Sequence, residues 1–415
     1  MDRKWTVMVY MAGDNNLDSY GVSDLKEMKA VGSTPQVAII AQFDRSGHKI
    51  HTKRYELKEH NISSLDADVV GDLGETNTGD PDVLTDFVRW GIQKYQAERY
   101  LLIIWGHGSG AYDEDIYYAG RRPPRYDIKR HGIFRPLIKG IQPEMLSDFE
   151  RALFFDVEAT PPVGVINPLI APDDDSKSFL DNVKLKSALK NIGHEIHILG
   201  MDACLMSMAE VCYQVRESVG MTVASQTEEE LEGWPYRRFL GELVKNPAMT
   251  PPQLAQTIVE QYGLFYSDYK NSQVTLSAFS LQNFKQLVEE VDGLAGSLLD
   301  HLEEDDVDKA IMLARYRVQS DEIIETVDLC DLCDLLEQNC KPEPIKSACR
   351  RVRKIVKQPD LLVSNYAGTA AKYAFGLGIY FPKRRVAPSY TKLDFVSSAP
   401  RWLEFVKAYV DITKR

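Results

Sequence analysis

The sequence predicts an α/β fold in which a central, mainly parallel β-sheet is flanked by helices. The first observation is a set of short apolar runs, rich in Val, Ile, Leu and aromatic residues, at 5–11, 37–43, 100–105, 196–201 and 221–225. Runs of this length and composition are typical of buried strands. The second observation is that helical patterns separate these runs. Strands that alternate with helices form βαβ units, whose strands are parallel.

Helix signals support this order of elements. Asp80 and Pro81 are typical of a helix start, and the apolar residues after them recur at helical spacing. A second helix is predicted from about Leu205 to Val219, directly after a cysteine. Beyond residue 250 the pattern is mostly helical, apart from a late strand at about 375–381.

The chain is predicted to consist of a domain over 1–250 and a C-terminal, mostly helical extension over 251–415 that packs on the same core. The first domain contains an insertion at about 111–181, in which no periodicity persists and basic residues accumulate. Long segments of this kind are usually functional or mobile. The basic residues of the insertion are Arg121, Arg122, Arg125, Lys129, Arg130, Arg135 and Lys139.

Composition limits the class of partner. The chain has 415 residues, a formal net charge of −12 and a pI of about 5.3. Because phosphate contacts require a basic face, we expect no nucleic-acid partner. No stretch approaches the roughly 18 apolar residues of a membrane span. The opening residues carry no signal-peptide pattern, and the six cysteines do not resemble a disulfide framework, so we expect a cytoplasmic protein.

The third and fourth predicted strands end in residues that carry chemistry. One runs into His107, which lies between glycines, and the other runs into Asp202-Ala203-Cys204. The carboxyl ends of parallel strands share one edge of a sheet, so His107 and Cys204 can meet there. A helix beginning at Cys204 would lower the pKa of its thiol, and the N–H groups of Gly108 and Cys204 are suited to hold an oxyanion. The other interpretation is that this cysteine is a buried apolar residue.

Five segments resemble those of a known family. They are WTVMVYMAGDNNLD near the start, LLIIWGHGSG around His107, MDACLMSMAEV around Cys204, ASQTEEELEGWPY after it and FGLGIYFP near the end. In this order they resemble the clostripain family of cysteine peptidases, which have a caspase-like fold. The resemblance spans nearly the whole chain, and the His-Gly and Asp-Ala-Cys segments are its most specific parts.

The resemblance implies a cysteine endopeptidase that cleaves after Arg and less well after Lys. It implies a catalytic dyad of His107 and Cys204, with Gly108 at the oxyanion hole. It also implies that Asp202 lines the pocket for the basic side chain. A carboxylate fits this role because Arg presents a planar fork suited to a bidentate partner. The structural alternative for Asp202 is a helix cap, and both roles can coexist.

Further pocket residues are expected in the glutamate-rich segment after the fifth predicted strand. We favour Glu232 among its glutamates, because the Gly233 and Trp234 that follow it match the family pattern. Trp234 is then a candidate wall of the cleft. The structural alternatives are a solvated loop for the glutamates and a core position for the aromatic residue.

Family members are often matured by cleavage between the catalytic His and Cys. The insertion at 111–181 is therefore a candidate for self-cleavage, and it also suits the docking of a regulatory partner. The alternative to a peptidase is a catalytically silent scaffold that binds peptides or partner proteins. The presence of both His107 and Cys204 disfavours that alternative.

No metal or other cofactor is expected to be resident. Cys330 and Cys333 have a spacing found in zinc sites, but they lie on the apolar face of a predicted helix. Calcium activates some members of the family. The run Asp173-Asp174-Asp175 is a candidate for binding it, although the run lacks the alternating ligand spacing of a calcium loop.

Overall fold

A nine-stranded β-sheet lies at the centre of the protein. The computed structural model describes residues 2–47, 50–58, 64–111, 170–268, 272–304, 306–321 and 325–413. The basic residues of the predicted insertion lie outside these ranges. The strands, in chain order, are β1 (Trp5–Gly13), β2 (Val37–Arg45), β3 (Lys53–Glu56), β4 (Val69–Asp72), β5 (Arg99–Trp105), β6 (Ile170–Asp173), β7 (Ser178–Leu180), β8 (Ile196–Asp202), β9 (Val219–Ala224), β10 (Thr275–Ser280), β11 (Ser320–Asp321), β12 (Thr326–Asp328), β13 (Leu362–Ala367) and β14 (Gly378–Tyr380).

Helices flank the sheet and make up most of the chain beyond it. The α-helices within the described residues, in chain order, are α1 (Asp18–Val31), α2 (Pro81–Lys94), α3 (Asn182–Ile192), α4 (Ala209–Val215), α5 (Tyr236–Lys245), α6 (Pro251–Tyr266), α7 (Phe284–Asp300), α8 (Val307–Arg317), α9 (Leu329–Asn339), α10 (Glu343–Val356), α11 (Asp394–Ser398) and α12 (Pro400–Ile412).

The central strands of the sheet are parallel. The order across the sheet is β13-β10-β9-β8-β5-β1-β2-β3-β4. The pairs from β9 to β2 are parallel, and the pairs outside them are antiparallel. The five apolar runs predicted as strands form these parallel strands, so the predicted fold class is confirmed. The sequences of these strands are continuously apolar because both faces of the central strands are covered.

Two hydrophobic cores lie on opposite faces of the sheet. Successive side chains of a strand point to opposite faces, and in β1 Met8 packs in one core while Val7 and Val9 pack in the other. The core that contains Met8 also contains residues of α7 and α12, whereas the second core contains residues of α1, α5 and α6. The C-terminal helices therefore share a core with the first half of the chain. The division at residue 250 stays a prediction, and β10 and β13 of the central sheet lie beyond it.

Two helix starts that the sequence predicted have different outcomes. The Asp80 side chain accepts a hydrogen bond from the Asp82 N–H at 2.9 Å and caps α2, as predicted. The helix predicted from about Leu205 is wrong, because α4 begins only at Ala209. The Leu205 and Ser207 N–H groups donate instead to carbonyls of the chain that follows β9, at 3.0 and 2.7 Å. Those long-range bonds hold the residues after β8 outside the helix.

The late strand predicted at 375–381 is present as β14. It pairs with β12 in a separate three-stranded sheet. Cys330 and Cys333 are buried on α9 among apolar side chains, in the core position that the sequence predicted for them.

Candidate active site

The register of β5 and β8 brings His107 next to Cys204. Trp105 pairs with Asp202 in the parallel ladder, and His107 and Cys204 each lie two residues beyond that pair. The loops also touch, because a Cβ added at Gly108 would lie 2.5 Å from the Cys204 carbonyl oxygen. Only a glycine permits so close an approach at this position. The two residues that the sequence selected for chemistry are therefore neighbours at one edge of the sheet.

His107 is held by the loop that follows β1. Its Nε2 atom lies 2.9 Å from Asn16 Oδ1, and its carbonyl accepts a hydrogen bond from the Ala171 N–H at 3.3 Å. Burial lowers the pKa of His107 to about 4, so the imidazole is neutral at physiological pH. Because an amide oxygen accepts, this contact suits the tautomer that carries its proton on Nε2 and leaves Nδ1 as the basic nitrogen.

Cys204 lies at a sharp turn and not at a helix start. The next residue, Leu205, has a φ of 67°, in the left-handed region that is strained for a branched side chain. The first residue of α4 is Ala209, so the predicted lowering of the thiol pKa by a helix N-terminus is wrong. Burial raises the pKa of the Cys204 thiol. Its Sγ atom accepts one hydrogen bond, from the Glu229 backbone N–H at 3.2 Å.

The two residues whose N–H groups are proposed for the oxyanion lie next to each other. Gly108 and Cys204 are adjacent across the two loops, as the 2.5 Å distance from a Gly108 Cβ to the Cys204 carbonyl oxygen requires. Neither N–H donates a hydrogen bond within the ranges that the structure describes. Two unengaged backbone donors next to a nucleophile have the chemistry of an oxyanion hole.

Asp202 is buried behind the nucleophile. Its Oδ2 atom accepts hydrogen bonds from the Tyr236 hydroxyl at 2.7 Å and from the Trp234 N–H at 3.4 Å. Since α4 begins well past it, the helix-cap alternative for Asp202 is wrong. Gly233 has a φ of 59°, and a Cβ there would lie 3.2 Å from Asp202 Oδ1. The loop before α5 therefore closes tightly over the Asp202 carboxylate.

Two further carboxyls surround Asp202, and we call Asp24, Asp202 and Glu229 the pocket group. Burial raises the pKa of Asp202 to about 6, while burial and the charge of Asp202 raise the pKa of Glu229 well above its usual range. Of this pair Glu229 holds a proton more strongly, and its carboxyl donates to Asp202. Burial also raises the pKa of Asp24, whose Oδ2 accepts from the Trp105 indole N–H at 2.7 Å. No member makes an ion pair with another described residue.

Two predicted pocket residues require correction. Glu232 is exposed, whereas Glu229 contacts both Asp202 and Cys204, so Glu229 is the glutamate that lies next to these two residues. Trp234 is fully buried, and its ring packs on Gly200 and Phe239. It is a core residue and not a wall of the cleft. It supports the pocket by donating its indole N–H to Glu229 Oε1 at 3.1 Å.

A second set of carboxylates lies at the ends of β1 and β2, and we call Asp14, Asp44, Glu75 and Asp173 the β1–β2 acidic group. Carboxylate oxygens of Asp14, Glu75 and Asp173 lie within 4.8 Å of one another. Burial, together with the charges of Asp173 and Glu75, raises the pKa of Asp14 to about 7 and that of Asp44 to about 8. Only Asp173 of the run considered for calcium belongs to the group. The possible metal ligands of the β1–β2 acidic group are all carboxylate oxygens, a set that fits a hard cation such as Ca²⁺.

Comparisons with known proteins give one consistent family. A sequence model of the Clostripain family matches residues 9–128 and 165–409. The chain is 26% identical over 237 residues to clostripain from Hathewaya histolytica, a match that covers 53% of this chain and 37% of clostripain. The predicted resemblance is therefore confirmed.

Two solved structures are similar over 96% of this chain and 99% of their own lengths. One is a secreted C11 cysteine protease from Bacteroides thetaiotaomicron in complex with an irreversible peptide inhibitor, with 16% identity and a TM-score of 0.63. The other is an inactive zymogen C11 protease from Parabacteroides distasonis, with 17% identity and a TM-score of 0.61. At this identity they show the fold, which agrees with the predicted caspase-like architecture.

The expectation of a cytoplasmic protein is wrong. It is contradicted by two of the similar solved structures, which are of a C11 protease described as secreted. The free cysteines that suggested a reducing compartment are mostly buried in the core, where a thiol packs as a small apolar side chain. Separately, none of the helices within the described ranges has the length and hydropathy of a membrane span.

Proposed function

Because the chain belongs to the clostripain family of cysteine peptidases, we propose that it hydrolyses peptide bonds after Arg, and less well after Lys, with Cys204 and His107 as the catalytic dyad. The observation that carries this proposal is the register of β5 and β8. Because Trp105 pairs with Asp202, His107 and Cys204 each lie two residues past the same pair. The class of enzyme, a cysteine peptidase and hence a hydrolase, follows from the family.

The resting dyad is a neutral pair, so the thiolate forms as the substrate arrives. Burial raises the pKa of Cys204 and lowers that of His107, and both shifts favour the uncharged forms. His107 Nδ1 takes the thiol proton as Sγ attacks the carbonyl carbon. The hydrogen bond from the Glu229 N–H to Sγ stabilises the charge that develops on sulfur.

The tetrahedral oxyanion is held by the N–H groups of Gly108 and Cys204. The imidazolium of His107 then protonates the amine, the C–N bond breaks and a thioester to Cys204 remains. Water attacks the thioester while His107 accepts its proton, which releases the acid and restores the thiol.

The pocket group supplies the preference for a basic side chain. Asp24 and Asp202 are buried and Glu229 is half-buried, and none of the three is neutralised by a cation of the protein within the described residues. A guanidinium that enters displaces the proton shared by Glu229 and Asp202 and gains two ionised acceptors. Arg matches such a pair with its planar fork, whereas Lys offers a single point charge, and this accounts for the weaker cleavage after Lys.

Turnover of fluorogenic peptides tests the proposal. The wild-type protein should cleave peptides that end in Arg faster than those that end in Lys, and both faster than matched peptides that end in Gln. Cys204→Ala should reduce every rate to background, because the nucleophile is lost. A wild-type protein that turns over none of these peptides and takes up no thiol-directed peptide label at Cys204 would instead be a peptide-binding scaffold.

We further propose that the enzyme matures by cutting its own insertion at 111–181. The insertion is rich in Arg and lies in sequence between the two dyad residues, and the similar P. distasonis structure is described as an inactive zymogen. Intact masses of wild type and Cys204→Ala, purified in parallel, test this. A cut after a basic residue of the insertion, present only in wild type, is the expected result. The same cut in both proteins would assign it to another protease.

A further inference from the structure

The turn that carries Cys204 is paired with residues 225–229, the chain that follows β9. The Leu205 and Ser207 N–H groups donate to carbonyls of this chain at 3.0 and 2.7 Å, and the Glu229 N–H donates to Cys204 Sγ at 3.2 Å. Leu205 has a φ of 67°, a left-handed conformation that persists in a branched residue only when the surrounding contacts enforce it. The position of the thiol therefore depends on what holds residues 225–229 in place.

Strand β14 holds the same turn from the other side. The Gly378 N–H donates to the Ser207 carbonyl at 2.8 Å, and the Ser207 hydroxyl donates to the Gly376 carbonyl at 2.6 Å. Ser207 is buried, so water has little access to these bonds. The Tyr380 N–H donates to the Glu210 carboxyl, in the first turn of α4, at 3.0 Å. The residues between the nucleophile and α4 are therefore held between the chain after β9 and β14.

Gln226 joins these two segments. Its side-chain Oε1 accepts from the Gly376 N–H at 3.2 Å, and its Nε2 donates to Asp328 Oδ2 at 2.9 Å. Asp328 Oδ2 also accepts from the Phe375 N–H at 2.6 Å, and Oδ1 accepts from the Asp331 N–H at the start of α9 at 2.7 Å. Gln226 and Asp328 are both buried, where hydrogen bonds meet little competition from water. One amide side chain therefore connects the chain beside the nucleophile to the segment that leads into β14.

We propose that Gln226, with Asp328, is a positioning residue for the nucleophile: it ties β14 to the chain after β9 and so fixes the turn from which Sγ attacks. The inference rests on the proposed function, because that function assigns the attack to Cys204. The pair acts through the backbone, since both side chains accept from N–H groups of the segment before β14. A displacement of about 1 Å at a reacting group can cost about 100-fold in rate. Loss of the Gln226 amide should therefore slow the chemical step and leave substrate binding nearly unchanged.

Gln226→Met tests this by removing both hydrogen bonds at nearly constant volume. We expect kcat for an Arg-ended peptide to fall between about 10- and 100-fold, with KM changed less than about threefold. Gln214→Met is the matched control, because Gln214 is also buried and accepts a backbone hydrogen bond, from the Asp394 N–H at 3.0 Å, near the end of α4. It should change kcat less than about threefold, since the nucleophile stays in place. An unchanged kcat in Gln226→Met, or equal losses in the two variants, would overturn the proposal.

Gln226→Glu adds a readout that a merely structural residue would not move. When protonated, the new carboxyl can donate to Asp328 as the amide does, and when ionised it faces a second carboxylate. Burial raises the pKa of Asp328 to about 7, and the charge of Asp331 acts in the same direction. A second buried carboxyl would hold the shared proton to higher pH still. The kcat of the variant relative to wild type should therefore fall at least about tenfold from pH 6 to pH 9. A ratio that does not vary with pH would overturn the role of the Gln226–Asp328 bond.

Hydrogen exchange in the Cys204→Ala background reports on the turn without any turnover. The Leu205 and Ser207 amides should exchange at least about tenfold faster when Gln226→Met is added, because the carbonyls that accept from them are held less firmly. Adding Gln214→Met should leave both amides at the parental rate. Unchanged exchange in the Gln226→Met protein would overturn the proposal. If wild type cleaves no peptide, the proposed peptidase fails, and exchange alone decides whether Gln226 holds the turn.

Discussion

Two acidic groups, each with buried members, lie near the His107–Cys204 pair, and they differ in what satisfies their carboxyls. In the pocket group, the protein itself supplies the donors: the Tyr236 hydroxyl, the Trp234 N–H and a proton carried by Glu229. In the β1–β2 acidic group, one oxygen of Asp44 is buried with no donor among the described residues. The two groups lie on opposite sides of the dyad in the strand order.

The difference shows two ways in which a fold can hold carboxyl groups at the carboxyl ends of its strands. A carboxyl pair that shares a proton is stable when empty and becomes an anionic fork when an organic cation displaces the proton. In the β1–β2 acidic group, burial raises the pKa of Asp14 to about 7 and that of Asp44 to about 8, so both carboxyls can rest protonated near neutral pH. We therefore propose that the first group receives the guanidinium of the substrate. The predictions that follow separate the two groups.

The largest expected effect is that of Asp202→Asn on cleavage after Arg. The variant keeps an oxygen for the Tyr236 hydroxyl, so the fold should survive, but it removes the charge that faces the guanidinium. We expect kcat/KM for an Arg-ended peptide to fall on the order of 100-fold or more, since breaking a buried charge pair costs about 2–5 kcal/mol. Steady-state kinetics on peptides that end in Arg, Lys or Gln measure this decrease in kcat/KM.

The control for this comparison is Asp173→Asn in the other group. It should leave the ratio of Arg to Gln cleavage unchanged, because Asp173 does not face the pocket. Unaltered Arg selectivity in Asp202→Asn would remove that residue from the pocket.

The next effect concerns Asn16, which lies between the two groups. Its side-chain oxygen fixes the protonated nitrogen of His107, so Asn16→Ala should lower kcat between about 10- and 100-fold through misplacement of the base, with KM nearly unchanged. Stopped-flow alkylation of Cys204 should slow in parallel. Asn16→Asp keeps the acceptor, and it should recover most of the rate with the His107 pKa moved upward. A change in KM alone would assign Asn16 to substrate binding.

The sequence predicted the dyad because its signals are local. Apolar runs located β5 and β8, and the shared edge of parallel strands then required His107 and Cys204 to meet. The helix predicted at Leu205 failed for a long-range reason. Its backbone donors are taken by carbonyls that follow β9, and no pattern within the segment records that partner.

The acidic residues also divide into those that local sequence signals reveal and those that only long-range contacts select. Among adjacent glutamates nothing periodic distinguishes Glu229 from Glu232, and the choice is made by the left-handed turn at Gly233 that folds the loop over Asp202. The β1–β2 acidic group was missed because its members are far apart in the chain. A signal was present, however, since Asp14 and Asp44 both stand at the carboxyl ends of predicted strands.

The pH dependence of Arg cleavage sharpens the role of the pocket group. Burial raises the pKa of Asp202 to about 6, so the carboxylate is ionised above that pH and protonated below it. The pKa of His107 is lowered to about 4, so the base stays neutral over the same range. We expect kcat/KM for Arg peptides to fall about tenfold from pH 7 to pH 5. Asp202→Asn should lack this decrease in kcat/KM. A decrease that persists in the variant would come from the titration of another residue.

The smallest expected effect is that of Tyr236→Phe, which removes one donor to Asp202. Hydrogen bonds to an ionised carboxylate lower its pKa, so losing the Tyr236 hydroxyl should move the acid limb of the Arg profile upward by about one unit. At pH 8 the carboxylate is ionised in both proteins, and kcat/KM should differ less than about threefold. Tyr213→Phe is the matched control, because its hydroxyl bonds to Ser398, away from the pocket. An equal shift of the limb in both variants would mean that Tyr236 does not act through Asp202.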